Sequence, residues 1–103
     1  MTYAKVLTAL ADPTRRHIFE TLLVHPMTVG ELAKNQPVSR PAVSQHLKVL
    51  ESAKLVRVEP QGNQRLYIIK HEGLNELRQY LENFWSDALS AYSAEITQQM
   101  KNK

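Results

Sequence analysis

The sequence predicts a mainly α-helical winged helix-turn-helix domain with a small β-hairpin, in the order α-α-α-α-β-β-α. Three observations predict this fold class. Two short capped helices follow each other in the middle of the chain, the apolar period then changes from 3.6 toward 2, and the chain ends in a long stretch of helical spacing. The 103 residues are enough for one core, so we interpret residues 1–103 as a single domain.

The first part of the chain predicts two helices. A short helix with one apolar face is expected over residues 3–10. Asp12 can cap a second helix because its carboxylate accepts backbone N–H bonds, and Pro13 suits the first helical position, where no N–H is needed. Pro26 ends this helix. Its apolar residues are Ile18, Phe19, Leu22 and Leu23.

The segment 28–53 predicts the helix-turn-helix. TVGE at residues 28–31 is a capping box, which fixes the start of a short third helix. Ser39 is placed to cap a fourth helix that has Pro41 in its first turn. The tight polar turn between the two helices falls on residues 35–37.

A two-stranded wing is predicted over residues 55–70. Apolar and polar residues alternate in 55–59 and in 65–69, as expected of strands. Gly62 and Asn63 lie between them and can take the positive φ of a hairpin turn.

The last segment predicts one helix over residues 72–100. At 1.5 Å per residue it would be about 45 Å long, which is more than a domain of this size can cover. Part of its apolar face must therefore pack against another chain, although a gap among its aromatic residues could instead admit an apolar ligand. The stripe includes Leu77, Leu81, Phe84, Trp85, Ala88 and Tyr92.

Charge is distributed unevenly along the chain, whose net charge is +3. Residues 34–70 have seven basic against two acidic side chains, whereas residues 71–100 have one basic against five acidic. A polyanion would therefore meet the middle of the chain. The absence of cysteine excludes disulfides, thiolate metal sites and thiol catalysis. With no membrane-spanning apolar run and no secretory signal, we expect a cytoplasmic protein that contacts no membrane.

The fourth helix divides into a core face and a polar face. Val43, Leu47 and Leu50 fall on one side of a wheel of 100° per residue, which predicts the core direction. Gln45 and Lys48 point away from it. Any exposed helix has polar residues outside, but here they accompany two capped helices, a hairpin and local positive charge, a combination typical of nucleic-acid modules. We therefore predict DNA contacts from Ser39, Arg40, Pro41, Ser44, Gln45 and Lys48.

The side chains of this face suit the edges of DNA bases. Arg40 could bond guanine, Gln45 adenine, and Ser44 either a base edge or a phosphate. On the wing, Arg57 and Arg65 are candidates for phosphate or minor-groove contact, together with Asn63 at the tip. The two arginines could equally be ordinary solvent-facing strand charges.

Three stretches resemble a known family, the ArsR/SmtB winged-helix repressors: ALADPTRRHIFETL, TVGELA and SRPAVSQHLKVLESAKLV. The resemblance covers about residues 4–90. It implies a homodimeric transcriptional repressor that binds an inverted-repeat operator in double-stranded DNA. It also implies dimerisation through the first and last helices, residues 1–10 and 72–100, which adds Leu7 and Leu10 to the expected interface.

The chain departs from the metal-sensing members of that family. It lacks their cysteines, and the last helix has no Asp-x-His or His-x-x-Glu pair, so we expect no metal site and no cofactor. The similarity is closer to autorepressors without metal ligands, whose inducer is a small molecule, a protein or nothing at all. Lys54 also stands where the family often has glycine, and the wing tip QGNQ is less basic than usual, which predicts fewer phosphate contacts.

Other readings of single residues stay open at this point. His46 borders the predicted core and favours a structural, hydrogen-bonded role over a base contact. Arg15 and Arg16 could touch the DNA backbone or pair with acids at a dimer interface. A catalytic pair of Ser44 with His46 is excluded, because residues two positions apart on a helix point in directions that differ by 200°. No enzyme activity is expected, and the alternative to a DNA-binding regulator is a winged helix used for protein contacts.

Overall fold

The computed structural model confirms the winged helix-turn-helix fold, with one strand more than expected. It describes residues 2–34 and 36–101, so the predicted turn residue Asn35 lies outside the described residues, as do Met1, Asn102 and Lys103. The elements are α1 (Thr2–Ala11), α2 (Pro13–Val24), β1 (Met27–Thr28), α3 (Val29–Lys34), α4 (Arg40–Ser52), β2 (Val56–Gln61), β3 (Gln64–Ile69) and α5 (His71–Lys101).

The additional strand is β1, which turns the predicted hairpin into a three-stranded antiparallel sheet of order β1-β3-β2. Met27 pairs with Tyr67, and Thr28 pairs with Leu66. Two residues are too few to show alternation in a sequence, so periodicity could not reveal this strand. The sheet attaches the wing to the start of α3.

The hairpin is longer at its tip than predicted. Its first strand begins at Val56, one residue later than predicted, and Leu55 before it is fully buried. At the other end, the pairing continues to Gln61 opposite Gln64. Of the two turn residues, only Gly62 has positive φ, at 62°. Pro60 is tolerated because β2 is an edge strand.

All three predicted helix caps are present. The Asp12 carboxylate accepts a bond of 2.8 Å from the backbone N–H of Arg15. In the capping box, the Thr28 N–H donates to Glu31 Oε1 at 3.1 Å, and the Glu31 N–H donates to Thr28 Oγ1 at 3.2 Å. Ser39 Oγ accepts from the Ala42 N–H at 3.3 Å. Each cap satisfies backbone donors that the first turn of a helix leaves free.

One core joins the first four helices to the sheet. Val43, Leu47 and Leu50 of α4 are completely buried, as the wheel predicted. Of the four apolar residues of α2 named above, Leu23 lies outside the core, because this side chain is 55% exposed at the end of the helix. The other residues in the core cluster are Val6, Ala9, Ile18, Phe19, Leu22, Met27, Leu32, Ala53, Leu55, Val56 and Tyr67.

Only the first ten residues of α5 pack against this core. The ring of Tyr80 stacks on Tyr3 of α1 with centroids 4.3 Å apart, and every residue described from 81 to 100 is exposed. We call residues 2–80 the body and residues 81–101 the projecting half of α5. The molecule is therefore elongated, with a long dimension of 70 Å.

A tight junction joins the end of α4 to the start of α5. Lys54 follows α4 with φ of 60°, so it occupies the left-handed region that glycine adopts more easily. The N–H of Gly73 donates to the Lys54 carbonyl at 2.8 Å. A β-carbon on Gly73 would lie 2.4 Å from the carbonyl oxygen of Ala53. The end of α4 is thus held directly against the start of α5.

Candidate DNA-binding surface

The polar face of α4 is accessible, while its opposite face forms the centre of the core. Pro41, Gln45 and Lys48 are exposed, and Ser44 on the flank is half-buried. With 13 residues, α4 is about 20 Å long, and nothing in the described chain covers its outer side. An exposed helix of this kind fits the major groove of B-form DNA.

Two of the predicted DNA contacts have local roles at the start of α4. The exposed Ser39 uses its side-chain oxygen as the helix cap, which leaves its hydroxyl hydrogen free to donate. Arg40 is exposed, but its guanidinium lies against Gly30 of α3: a β-carbon there would be 3.1 Å from Arg40 Nη2. The side chain is therefore directed sideways rather than along the polar face.

The two wing arginines lie on opposite faces of the hairpin. Arg57 pairs with Ile68 and Arg65 with Pro60 in the β2–β3 register, and neighbouring pairs alternate between faces. Arg57 also forms an ion pair with Glu59 on its own strand. Asn63 is exposed at the tip. Only Arg65 is on the face shared with the buried Tyr67.

A groove lies between the helix-turn-helix and the wing, with a volume of about 270 Å³. We call it the arginine groove. Four elements contribute to it: the end of β1 and the starts of α3, α4 and β3. The sequence did not predict this groove, because the groove forms where the Arg40 side chain lies against Gly30 of another helix. Its lining residues are Thr28, Val29, Gly30, Arg40, Gln64 and Arg65.

Arg15 and Arg16 cap the carboxyl end of α1, which has no glycine after it. Arg15 Nε donates to the carbonyl of Ala9 at 2.6 Å, and Arg16 Nη1 donates to that of Leu10 at 3.0 Å. Neither arginine forms an ion pair with an acid within residues 2–34 and 36–101. Within the chain, backbone carbonyls of α1 bind these guanidinium groups, and their pairing with acids across a dimer interface stays a prediction.

His46 connects α4 to this cap. Its Nδ1 lies 3.4 Å from Arg15 Nη1. Because a guanidinium can only donate, Nδ1 accepts this contact when the ring carries its proton on Nε2. The half-buried ring is therefore held between α2 and α4, in agreement with the structural role inferred from its position on the wheel.

Apolar side chains are exposed along α5 and on one side of α1. Leu7 is exposed, whereas Leu10 and Leu77 pack partly against the core of the body. A groove of about 760 Å³ runs along the first half of α5, lined by Leu74, Leu77, Arg78, Leu81, Glu82, Phe84 and Trp85. The predicted interface residues on the projecting half are all exposed: Leu81, Phe84, Trp85, Ala88 and Tyr92.

Two absences concern the described part of the chain. Within residues 2–34 and 36–101, no three His, Asp or Glu side chains lie close enough to bind one metal ion. None of the helices described there is both long and apolar enough to cross a membrane.

The fold and this surface define a class of protein, the winged-helix transcriptional regulators that bind DNA. Comparisons with known proteins identify the family. Residues 12–58 match the bacterial regulatory protein arsR family. The chain is 55% identical over 85 residues to the HTH-type transcriptional regulator Rv2034 of Mycobacterium tuberculosis, covering 82% of this chain and 79% of that protein.

Two further comparisons agree. The transcriptional repressor SdpR of Bacillus subtilis is 32% identical over 79 residues, covering 77% of this chain and 88% of the repressor. The structure of an ArsR-like transcriptional regulator from Rhodococcus sp. RHA1 superposes with a TM-score of 0.76 at 32% identity, covering 88% of this chain and 89% of that one. The chain belongs to the ArsR family of DNA-binding transcriptional regulators and is not an enzyme.

Proposed function

We propose that this regulator is a homodimeric repressor of an inverted-repeat operator, and that α4 reads the major groove. The observation that carries the proposal is the division of α4, whose apolar face is completely buried while Gln45 and Lys48 are exposed. The net charge of +5 over residues 34–70 supports contact with a polyanion on this side.

The proposed roles follow from side-chain chemistry. Gln45 offers a donor and an acceptor to the N7 and N6 of adenine, and Ser44 bonds a base edge or a phosphate. Lys48 is a point charge suited to a phosphate, and Pro41 contacts the duplex through its ring. At the wing, Asn63 and Arg65 contact the flanking DNA backbone, and Arg57 does so only after its ion pair with Glu59 is broken.

The dimer is proposed from the unpartnered face of α5. Large contiguous apolar patches on a soluble protein mark interaction sites, and this one continues from a groove beside the body onto the projecting half. A second copy that packs its own α1 and α5 here buries both surfaces at once. The two α4 helices are then held about 34 Å apart, one turn of DNA, so that each reads a half-site.

We further propose that the regulator does not sense metal ions. The chain has no cysteine, and its histidines do not form a cluster within residues 2–34 and 36–101: they are His17, His25, His46 and His71. Thiolate or clustered imidazole ligands would be needed to bind a transition metal firmly. An inducer, whether small molecule or protein, acts by favouring a dimer geometry in which the two α4 helices have the wrong spacing.

The test is selection of bound duplexes from a random pool, followed by footprinting on the recovered sequence. We expect an inverted repeat with half-site centres about 10 base pairs apart. Gln45→Ala should lose about 1–3 kcal/mol of discrimination at one base in each half-site, whereas Lys48→Ala should weaken all sequences about equally. Added Zn²⁺ or arsenite should leave the affinity unchanged. Recovery of no preferred sequence, or binding insensitive to salt, would contradict the proposal.

A further inference from the structure

The position of the Arg40 guanidinium does not suit a base contact. Arg40 and Gln45 are five positions apart, which places them about 140° apart around the helix axis. The guanidinium lies over Gly30, where a β-carbon would be 3.1 Å from Nη2 and 3.4 Å from Cζ. It is therefore packed on the backbone of α3, at the side of the surface that enters the major groove.

A second guanidinium borders the same place. Arg65 stands opposite Pro60, two positions from the Val58–Tyr67 pair, so it shares the face of the hairpin that Tyr67 turns toward the core. Arg65 and Arg40 both line the arginine groove. No carboxylate within residues 2–34 and 36–101 forms an ion pair with either of them.

The carboxylate nearest in sequence to this groove is already engaged. Glu31 Oε1 accepts bonds from the N–H and the hydroxyl of Thr28, and these bonds lower the pKa of Glu31, so it stays ionised as a cap. Two cations beside one groove repel each other unless an anion lies between them. The amino end of α4, which is the positive end of its helix dipole, adds to the attraction for such an anion.

We propose that the arginine groove binds one phosphate of the DNA backbone, clamped between Arg40 and Arg65. This inference rests on the proposed function and deepens it. Guanidinium groups are suited to phosphate because their planar donors meet two of its oxygens at once. Arg40 is then a positioning residue that sets how deeply α4 enters the major groove of the DNA, and it does not contact guanine. Gly30 leaves the guanidinium in place, since a β-carbon there would lie 3.1 Å from Nη2 and would push it aside.

The experiment uses the full chain and a random-sequence duplex of about 30 base pairs, long enough for both half-sites. A phosphate contact acts on every sequence, whereas a base contact acts only on its own. Affinity is measured at several salt concentrations for wild type, Arg40→Ala and Arg65→Ala. Lys5→Ala is the matched control, since it removes one positive charge from α1, beside the carboxyl end of α4.

We expect each arginine variant to weaken binding to the random duplex and to flatten its salt dependence. A lost phosphate contact lowers the slope of log affinity against log salt by about 0.9, and so by about 1.8 for the two sites of a dimer. Between about 50 and 200 mM salt, the variant should therefore lose about twelvefold less affinity than wild type. The double variant should differ little from either single variant, because the clamp needs both guanidinium groups and removing either one loses the phosphate contact. Lys5→Ala should keep the wild-type slope.

Two more variants separate this role from a structural one. Arg40→Lys keeps the charge but loses the planar donors of the guanidinium, so it should retain the salt dependence of binding with reduced affinity. Gly30→Ala places a methyl group 3.1 Å from Arg40 Nη2, so it should weaken DNA binding. Because alanine is also the better helix former, the thermal stability should not fall.

The proposal is overturned if Arg40→Ala leaves the random duplex and its slope unchanged and weakens only a selected operator, since Arg40 then reads a base. It is also overturned if the effects of Arg40→Ala and Arg65→Ala simply add. Failure of the wild-type protein to bind any duplex would instead defeat the proposed function itself, and the two results cannot be confused.

Discussion

The body and the projecting half of α5 use similar apolar residues at similar helical spacing, with opposite results. On α4, Val43, Leu47 and Leu50 are completely buried within one chain. On α5, Phe84 is 58% and Trp85 63% exposed. Burying a large apolar side chain contributes about 1.5–3 kcal/mol, so the body is stabilised by its own core, while this part of α5 lacks a comparable contribution from its own chain.

The difference teaches what an apolar stripe can specify. Its period indicates that one face of the helix will be covered, but not which chain covers it. In α4 the cover is supplied by neighbouring elements that lie close in sequence. In the projecting half of α5 no described element of the chain packs against the stripe, so we expect the second protomer to cover it.

The largest effect is expected from a charge placed on the exposed stripe. Trp85→Glu should raise the dimer dissociation constant at least about 100-fold, or about 3 kcal/mol, because an unpaired carboxylate would have to be buried. Analytical ultracentrifugation measures the change. The body should keep its circular dichroism and its core should remain folded.

Ser90→Glu is the control for this variant. Ser90 lies about 140° from Trp85 around α5, beside Ser93 and Thr97 on a polar side, so the same charge there should leave the dimer intact. If Trp85→Glu assembled as wild type does, or if wild type were monomeric at every concentration, the second protomer would not be what covers α5.

The next effect concerns the junction where the two regions are joined. Gly73→Ala should lower the free energy of unfolding by about 3 kcal/mol, because its β-carbon would meet the backbone oxygens of Ala53 and Lys54 at 2.4 and 2.8 Å. Gly62→Ala is the matched control: its φ is 62° and nothing lies within 4 Å, so it should cost about 1 kcal/mol. Urea unfolding compares them, and equal costs would mean that the junction can relax.

Much of the body could be predicted from the sequence because its signals are local. A cap is a relation between residues three apart, and the N-caps at Asp12, Thr28 and Ser39 were all recognisable before the fold was known. Periodicity likewise located α4 and its core face. The strand β1 was missed because its pairing with β3 joins residues about 40 apart in sequence.

The candidate site was only partly predictable for the same reason. Spacing alone separated Gln45 and Lys48 from the core face, since the polar face and the core face belong to one helix. The sideways direction of Arg40 depends on Gly30 in another helix, and the separation of Arg57 from Arg65 depends on the strand register. Tertiary packing decides both, and no pattern within α4 or the wing encodes it.

A smaller effect is expected at Lys54, where a conformation favoured by glycine is adopted by another residue. Lys54→Gly should be about 1 kcal/mol more stable than Lys54→Ala, because only glycine avoids the cost of φ near 60°. Both variants lose the ion pair with Glu72, so their difference isolates the backbone. Urea midpoints give the comparison, and equal stability would show that the junction holds Lys54 without strain.

The smallest effect is a dependence of the body on acid. The pKa of Asp12 lies below its usual value, mainly because its carboxylate accepts the Arg15 N–H, and bonds from Thr28 lower that of Glu31. Bonds from Lys54 and Lys70 do the same for Glu72. A carboxyl with a lower pKa in the folded state binds fewer protons than in the unfolded state. Its stabilisation is therefore complete above about pH 5 and is lost as the pH falls below about 4.

All three carboxylates cap or join helices of the body, so acid should weaken the body's own contacts. Urea unfolding at several pH values should show a midpoint that falls between about pH 5 and 3. Asp12→Asn keeps an acceptor for the cap but cannot titrate, so its midpoint should fall less steeply than that of wild type. Asp12→Ala, without any cap, should be the least stable variant at neutral pH. If Asp12→Asn followed wild type throughout, the cap would not be one of the groups that link the body to pH.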